Sequence, residues 1–279
     1  MIVAMKSTYI FLLLLLFIIS CSETPKNVYN INEFPPIYPD YIEVTIPSEI
    51  APMNFNVKDA DKIDIEVKGS KSGNLHINDS YAKFPIDGWH KLLSDNKGGS
   101  ITFEVKAKID GKWYGYKNFE MFVSNYELND WGVTYRRISP GYEVFGKMGL
   151  YQRELSTFNE YSIIENTLIP GNCVNCHTPN ACNPDDYVFH VRGGNGATVI
   201  HHDGKIEILQ SKSVTTGGSM VYPCWHPSGK YCAFSTNDTH QSFHVVKEEL
   251  IEVFDLKSDV FIYCTETNKL ILDSALMTN

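Results

Sequence analysis

Two cysteines and a histidine lie close together in one short stretch of the sequence, G-N-C-V-N-C-H, residues 171–177. Two residues separate Cys173 from Cys176, and His177 follows directly. Thiols at this spacing can add across the two vinyl groups of a heme, and the adjacent imidazole can reach the iron from the same side. The pattern would arise by chance in roughly one of two hundred chains of this composition. We therefore expect covalently bound heme c at Cys173 and Cys176, with His177 as an iron ligand.

The stretch resembles the attachment motif of c-type cytochromes, which Cys173, Cys176 and His177 match residue for residue. The resemblance covers only these few residues and implies electron transfer through a bound heme. Three alternatives stay open at this point: a redox-active disulfide, a structural disulfide, and a zinc site completed by Cys182. A thioredoxin-like βαβ context for a redox disulfide is absent from the sequence. Side chains at adjacent positions rarely reach one metal together, which weighs against zinc.

A second iron ligand and a partner for the heme propionates are expected downstream, in F-H-V-R-G-G. We predict His190 as the distal ligand, with His244 and Met148 as alternatives and a five-coordinate iron also open. In a strand, His190 and Arg192 would share one face. A guanidinium suits a carboxylate, so Arg192 is predicted to pair with a propionate. The other residues considered as ligands are His201, His202, Met220, His226 and His240.

The N-terminus has the features of an export signal. Lys6 precedes the apolar run Ile10–Ile19, which is too short to span a bilayer. The run ends in I-I-S-C and resembles a bacterial lipobox, whose cysteine here is Cys21. The resemblance implies cleavage after residues 1–20, acylation of Cys21, and a protein anchored by lipid to a bacterial membrane, facing the periplasm. Several acyl chains on one cysteine would hold it there durably.

An extended tether and a β domain are predicted to follow. Residues 21–40 contain four prolines and no apolar period, which indicates an extended tether. In residues 41–126, apolar residues alternate with polar ones in K-I-D-I-E-V-K and I-T-F-E-V-K, and Asp110-Gly111 marks a tight hairpin. The length and pattern favour an immunoglobulin-like or fibronectin-like β-sandwich.

The motif itself is predicted to lie in a heme-binding segment, residues 127–186, that contains a short helix. Thr157 and Glu160 have capping-box spacing, and apolar residues recur at nearly helical intervals after them. The expected helix spans about 158–167 and leads into a helical C-x-x-C-H segment.

Residues 187–279 are predicted to form strands again, including a hairpin at Asp203-Gly204. The stretch M-V-Y-P-C-W-H-P-S-G-K-Y-C-A-F-S resembles the TolB-like propeller repeat, from which His226 and Ser228 depart. The matching residues are Pro223, Trp225, Pro227, Gly229, Lys230, Ala233, Phe234 and Ser235. A propeller takes at least four blades of roughly 40 residues, and only 102 residues follow His177. The prediction is therefore a partial, truncated propeller.

Charge and composition limit the function classes. The chain has 24 Lys and Arg against 33 Asp and Glu, a net charge of -9 without a basic block, so no nucleic-acid partner is expected. The predicted function is electron transfer or redox sensing in the periplasm, with a protein redox partner and membrane lipid at Cys21. The alternative is a non-catalytic propeller module that binds a protein or glycan and has a structural heme or cysteine site. We identify no catalytic constellation, so an enzyme is the less favoured class.

Overall fold

The computed structural model of the chain describes residues 23–138, 147–168, 170–181, 183–194, 196–209, 219–244 and 251–271. The predictions for the signal peptide, for Cys21 and for Cys182 lie outside the described residues. The chain divides into two compact units between Asn129 and Asp130.

From residue 23 on, where its description begins, the first unit consists mainly of one mixed β-sheet and a single helix. Its elements are β1 (Tyr29–Asn30), β2 (Ile37–Tyr38), β3 (Thr45–Ile46), β4 (Asn56–Val57), β5 (Lys62–Gly69), β6 (Asn74–Asp79), α1 (Ile86–Asp95), β7 (Ser100–Ile109), β8 (Lys112–Gly115) and β9 (Phe119–Val123). The strands run in the order β1-β8-β7-β5-β6, β9 also pairs with β7, and β3 pairs with β9. The pairs β1–β8 and β3–β9 are parallel, and β2 and β4 form a separate antiparallel pair.

Alternating apolar residues form the core of this unit. Ile63, Ile65 and Val67 of β5 are fully buried, and Phe103 of β7 lies among them in the same cluster. The predicted hairpin at Asp110-Gly111 is present: Ile109 pairs with Lys112, and both loop residues have positive φ, as a tight two-residue turn requires.

Helix α1 was not predicted from the sequence. It begins after Pro85, and the spacing of Trp89, Leu92 and Leu93 buries one face. The Trp89 indole donates a hydrogen bond to the Ile50 carbonyl at 3.2 Å. None of the helices in the described ranges has the length and hydropathy needed to cross a bilayer.

The described residues of the second unit form three antiparallel sheets that follow one another in the chain. The first contains β10 (Gly132–Ile138), β11 (Met148–Glu154) and β12 (Glu160–Glu165); the second contains β13 (Cys173–Asn180), β14 (Asn183–Arg192), β15 (Ala197–His202) and β16 (Lys205–Leu209). The third contains β17 (Val221–Trp225), β18 (Tyr231–Phe243), β19 (Ile251–Cys264) and β20 (Lys269–Ile271). The mainly β fold class is confirmed.

The middle sheet is apolar on both faces, which explains how the three sheets pack. One cluster joins Val174, Phe189 and Val191 to Met148 and Leu150 of the first sheet. A second cluster joins the other face to the third sheet, through Val188, Ile200, Met220, Trp225, Cys232, Phe234 and Tyr263. Strand β14 therefore contributes alternate side chains to two cores.

The predicted helix at 158–167 is wrong. Strand β12 covers most of that range and is followed by a 3-10 turn, Asn166–Leu168. Thr157 does not cap a helix: its hydroxyl donates to Glu154 and accepts from the Asn159 amide, which closes the β11–β12 turn. The physical reason is that β12 pairs antiparallel with β11, and tertiary pairing overrides a weak helical period.

We expect Phe103→Ala to destabilise the first unit by roughly 3–5 kcal/mol, because it would leave a cavity in a fully buried site. The Phe103 ring stacks on Phe119 with centroids 4.6 Å apart. Urea titration followed by hydrogen exchange of β7 amides measures the loss. The control Phe122→Ala removes a ring that is 42% exposed and should cost less than about 1 kcal/mol. Equal unfolding midpoints for the two variants would contradict the packing.

Candidate functional site

The two cysteines of the motif lie on strand β13, which pairs with β14. Cys173 is paired with Arg192 and Asn175 with His190. The prediction of a helical C-x-x-C-H segment is therefore wrong, since backbone pairing with β14 holds the segment extended.

A bulge interrupts β13 within the motif. The pairing register shifts between Asn175 and Thr178. Cys176 and His177, the two residues between them, therefore both lie in the bulge. Cys176 has φ 52°, a left-handed conformation that is uncommon for a residue with a side chain. Bulges re-aim side chains and often lie beside functional sites. Here the bulge changes the direction of the side chains halfway through the motif.

Both cysteine sulfurs lie near a guanidinium. Nη2 of Arg192 is 3.8 Å from Sγ of Cys176, and Nη2 of Arg136 is 3.5 Å from Sγ of Cys173. Both cysteines are free and half-buried. Nε of Arg136 is buried and makes no hydrogen bond to the described residues. The site therefore offers two thiols together with cationic donors, one of which has an unused N–H.

His177 is half-buried and turns toward the first sheet. Its ring hydrogen-bonds to the backbone of Thr134 on β10, and its pKa is lowered mainly by burial, with a smaller contribution from the charge of Arg136. A neutral imidazole retains one lone pair that can coordinate a metal.

His190 is 2% exposed and is held by a chain of hydrogen bonds. Its Nδ1 lies 3.0 Å from Oγ1 of Thr198, and that hydroxyl donates to the Met220 carbonyl, also at 3.0 Å. Burial, assisted by the positive charge of Arg192, lowers the pKa of His190 to about 4. His190 is therefore neutral at pH 7.

A cavity of about 250 Å³ lies on the His190 side of β14. Its lining includes His190, Arg192, Tyr222, Asn237 and Gln241. Cofactor sites measure roughly 300–1,000 Å³, so the cavity is too small to enclose a porphyrin. Cys173, Cys176 and His177 are not among the residues that line it. The groups that would hold a heme c are the two thiols and the imidazole of His177 on β13.

The alternative ligands lie in different surroundings. Met148 shares Arg136 with Cys173, its Sδ being 3.6 Å from Nη2 of that arginine. Nε2 of His244 lies 3.0 Å from a carboxylate oxygen of Glu252 on the β18–β19 ribbon. The His201 ring stacks on Tyr187 and bonds the Asp185 carbonyl.

Within the described ranges, the motif residues do not form a zinc-like cluster. Among the described residues, a different group does bring potential metal ligands within 4.8 Å of one another: Asp186, His202 and Asp203. The hairpin at Asp203-Gly204 was predicted, and His201 and His202 are adjacent on β15, so their side chains point to opposite faces of the sheet. Asp186 was not anticipated there; it comes from β14.

The hairpin of β17 and β18 supports the motif strand directly. Trp225 donates its indole hydrogen to the carbonyl of Thr178 at 3.1 Å, and Thr178 follows His177. Cys224 is exposed and Cys232 is buried, and both are free. Trp225 thus fixes β13 to the third sheet just beyond the bulge.

Two residues of the site were missed by sequence reasoning, Arg136 and Thr198. Thr198 could have been found, because a hairpin around Gly193-Gly194 places it opposite His190 on β15. Arg136 comes from another sheet, and no pattern near the motif indicates it.

Comparison of the chain with protein-family models, with curated proteins and with solved structures finds no match. The fold itself defines the class: a mainly β protein built from several sheets.

We expect alkylation to distinguish the cysteines in the reduced, heme-free chain. Burial raises the pKa of Cys232 to about 12, so its unreactive thiol should remain unmodified by iodoacetamide at pH 8. Cys173, Cys176 and the exposed Cys224 should be modified, as read by peptide mass spectrometry. Cys232 should react once urea unfolds the chain. Native labelling of Cys232 as fast as Cys224 would argue against this packing.

Proposed function

We propose that the chain carries heme c at Cys173 and Cys176 and serves in electron transfer or redox sensing at a bacterial membrane. The observation that carries the proposal is the register of β13 on β14. Cys173 pairs with Arg192, and the guanidinium of the same arginine lies 3.8 Å from Sγ of Cys176. The two sulfurs therefore lie beside two different guanidinium groups, Cys176 beside Arg192 and Cys173 beside Arg136.

Each residue has a proposed role that its surroundings support. His177 is a neutral imidazole that would coordinate iron on giving up its hydrogen bond to the Thr134 backbone. His190, the predicted distal ligand, is also neutral, but it faces the third sheet whereas His177 faces the first. Arg192 and Arg136 would pair with carboxylates, and the unused Nε of Arg136 supports this role. A bound heme would supply a one-electron centre.

The β units are proposed to position this centre and to bind the protein redox partner. Three antiparallel sheets, consecutive in the chain and packed through apolar faces, support a partial TolB-like propeller in the second unit. The antiparallel strands β5, β6 and β7, with the separate β2–β4 pair, support a sandwich-like first unit.

A second candidate is the non-catalytic binding module, and one observation favours it. An apolar cavity of about 500 Å³ is lined by Trp225, Tyr231, Ile262 and Ile271 on the third sheet. A site of this size and lining suits an apolar group of a binding partner. Absence of covalent heme would leave this candidate as the better account.

Heme attachment is tested by expressing the full chain with a c-type heme attachment system. After acid-acetone extraction, we expect the α-band to stay with the wild-type polypeptide, because thioether bonds survive extraction. Cys173→Ala combined with Cys176→Ala should lose it, and the control Cys224→Ala, outside the motif, should keep it. Heme that is extracted from the polypeptide by acid-acetone would refute covalent attachment. A protein that shows no heme absorption at all would also refute it.

Lipid attachment at Cys21 is a separate prediction. We expect the mature N-terminus to be an acylated Cys21, seen by mass spectrometry of the membrane fraction. Cys21→Ser should release the protein from membranes, since acyl chains provide the anchor. Cys224→Ser is the matched control. A mature chain that begins beyond residue 21 without modification would disprove the anchor.

A further inference from the structure

Three potential metal ligands meet at the turn between β15 and β16. They are Asp186 on β14, His202 at the end of β15 and Asp203 in the turn, and one ligand atom of each lies within 4.8 Å of the others. Strand register brings the first two together. Tyr187 pairs with His201, so the next two positions, Asp186 and His202, lie opposite each other on one face of the sheet.

The turn orients the carboxylate of Asp186. Its Oδ1 accepts a hydrogen bond from the backbone N–H of Asp203 at 3.1 Å, and its Oδ2 faces the His202 ring. Asp203 and Gly204 have φ 49° and 69°, as a tight two-residue turn requires, so the turn fixes the position of this N–H. Ligating carboxylates are commonly held by such a hydrogen bond.

Nδ1 of His202 is buried and makes no hydrogen bond to the described residues. It lies 3.2 Å from Oδ2 of Asp186, but the two groups are not aligned for a hydrogen bond. Buried polar atoms nearly always have a partner. With metal–ligand bonds of about 2.0–2.1 Å, two ligand atoms of a tetrahedral zinc site lie about 3.3 Å apart. The nitrogen and the oxygen therefore have the separation of two ligands of one ion.

The surroundings of the ring suit a cation. The Trp225 indole packs beside the His202 ring, with centroids 5.9 Å apart. Asp203 is exposed, so its side chain can rotate to close the coordination shell. His202 and Asp203 also line a cavity of about 120 Å³, which has room for water as a further ligand. The charged residues of its lining, which carry a net negative charge, are Asp203, Lys205, Glu207 and Glu266.

We propose that Asp186, His202 and Asp203 bind one divalent transition-metal ion of the zinc type, with water in the fourth position. An imidazole together with carboxylates suits Zn²⁺, whereas Ca²⁺ and Mg²⁺ take oxygen ligands. The ion would link β14 to the β15–β16 turn. The inference does not depend on heme attachment, because none of the three residues belongs to the cysteine motif.

Metal binding is tested by calorimetry on the full chain after removal of metal with a chelator. Cys173→Ala and Cys176→Ala are included so that the motif thiols do not compete for the ion. We expect one equivalent of Zn²⁺ to bind, and an excess of Ca²⁺ or Mg²⁺ not to displace it. Co²⁺ in place of Zn²⁺ should give an absorption spectrum without a sulfur-to-metal charge-transfer band. The absence of stoichiometric Zn²⁺ binding, or a thiolate band with Co²⁺, overturns the inference.

Variants of the ligands locate the site. His202→Gln and Asp186→Asn should each weaken Zn²⁺ binding by about tenfold or more, because each removes a ligand. Asp203→Asn should also weaken binding, and it keeps both the backbone N–H and a residue that suits the turn. His201→Gln is the matched control, since this neighbour faces the other side of β15, and it should leave the affinity unchanged. Backbone amide spectra show which variants are folded. Equal Zn²⁺ affinity in His202→Gln and His201→Gln overturns the inference.

Discussion

The antiparallel pairing of β13 with β14 is the constraint on which the rest of the site depends. It sets Cys173 opposite Arg192 and Asn175 opposite His190. A slip of one residue would send each side chain to the other face of the sheet. The bulge at Cys176 takes up the extra residue locally, and beyond it Trp225 holds the carbonyl of Thr178. The positions of Cys173 and Cys176 are therefore fixed by the register on both sides of the bulge.

Burial on both faces of the middle sheet fixes that register. Val174 and Val188 are fully buried against the first and third sheets respectively, and each contributes roughly 1.5–3 kcal/mol on burial. A polar residue in such surroundings must find a partner inside the protein. His190 and Thr198 satisfy each other and the Met220 carbonyl. The same apolar packing that stabilises the sheets therefore orients the imidazole.

The charges of the site differ from those of the whole chain. The protein has a net charge of -9, yet Arg136 and Arg192 are the charged groups beside the two sulfurs. Their positive charges contribute to keeping His177 and His190 neutral, after burial. Neutral imidazoles next to guanidinium groups suit a ligand that combines a metal with carboxylates.

The sequence alone determined the mainly β class, the hairpins at Asp110-Gly111 and Asp203-Gly204, and which alternate side chains of β5 and β7 are buried. These features depend on local backbone chemistry and on the two-residue period of a strand. The sequence wrongly indicated helical structure at 158–167 and at the C-x-x-C-H motif. In both places, strand pairing with distant residues overrode a local helical pattern. It could indicate that His190 and Arg192 share a face, but not that Thr198 holds the ring or that Arg136 reaches Cys173. Those contacts join separate strands and sheets, so only the tertiary structure decides them.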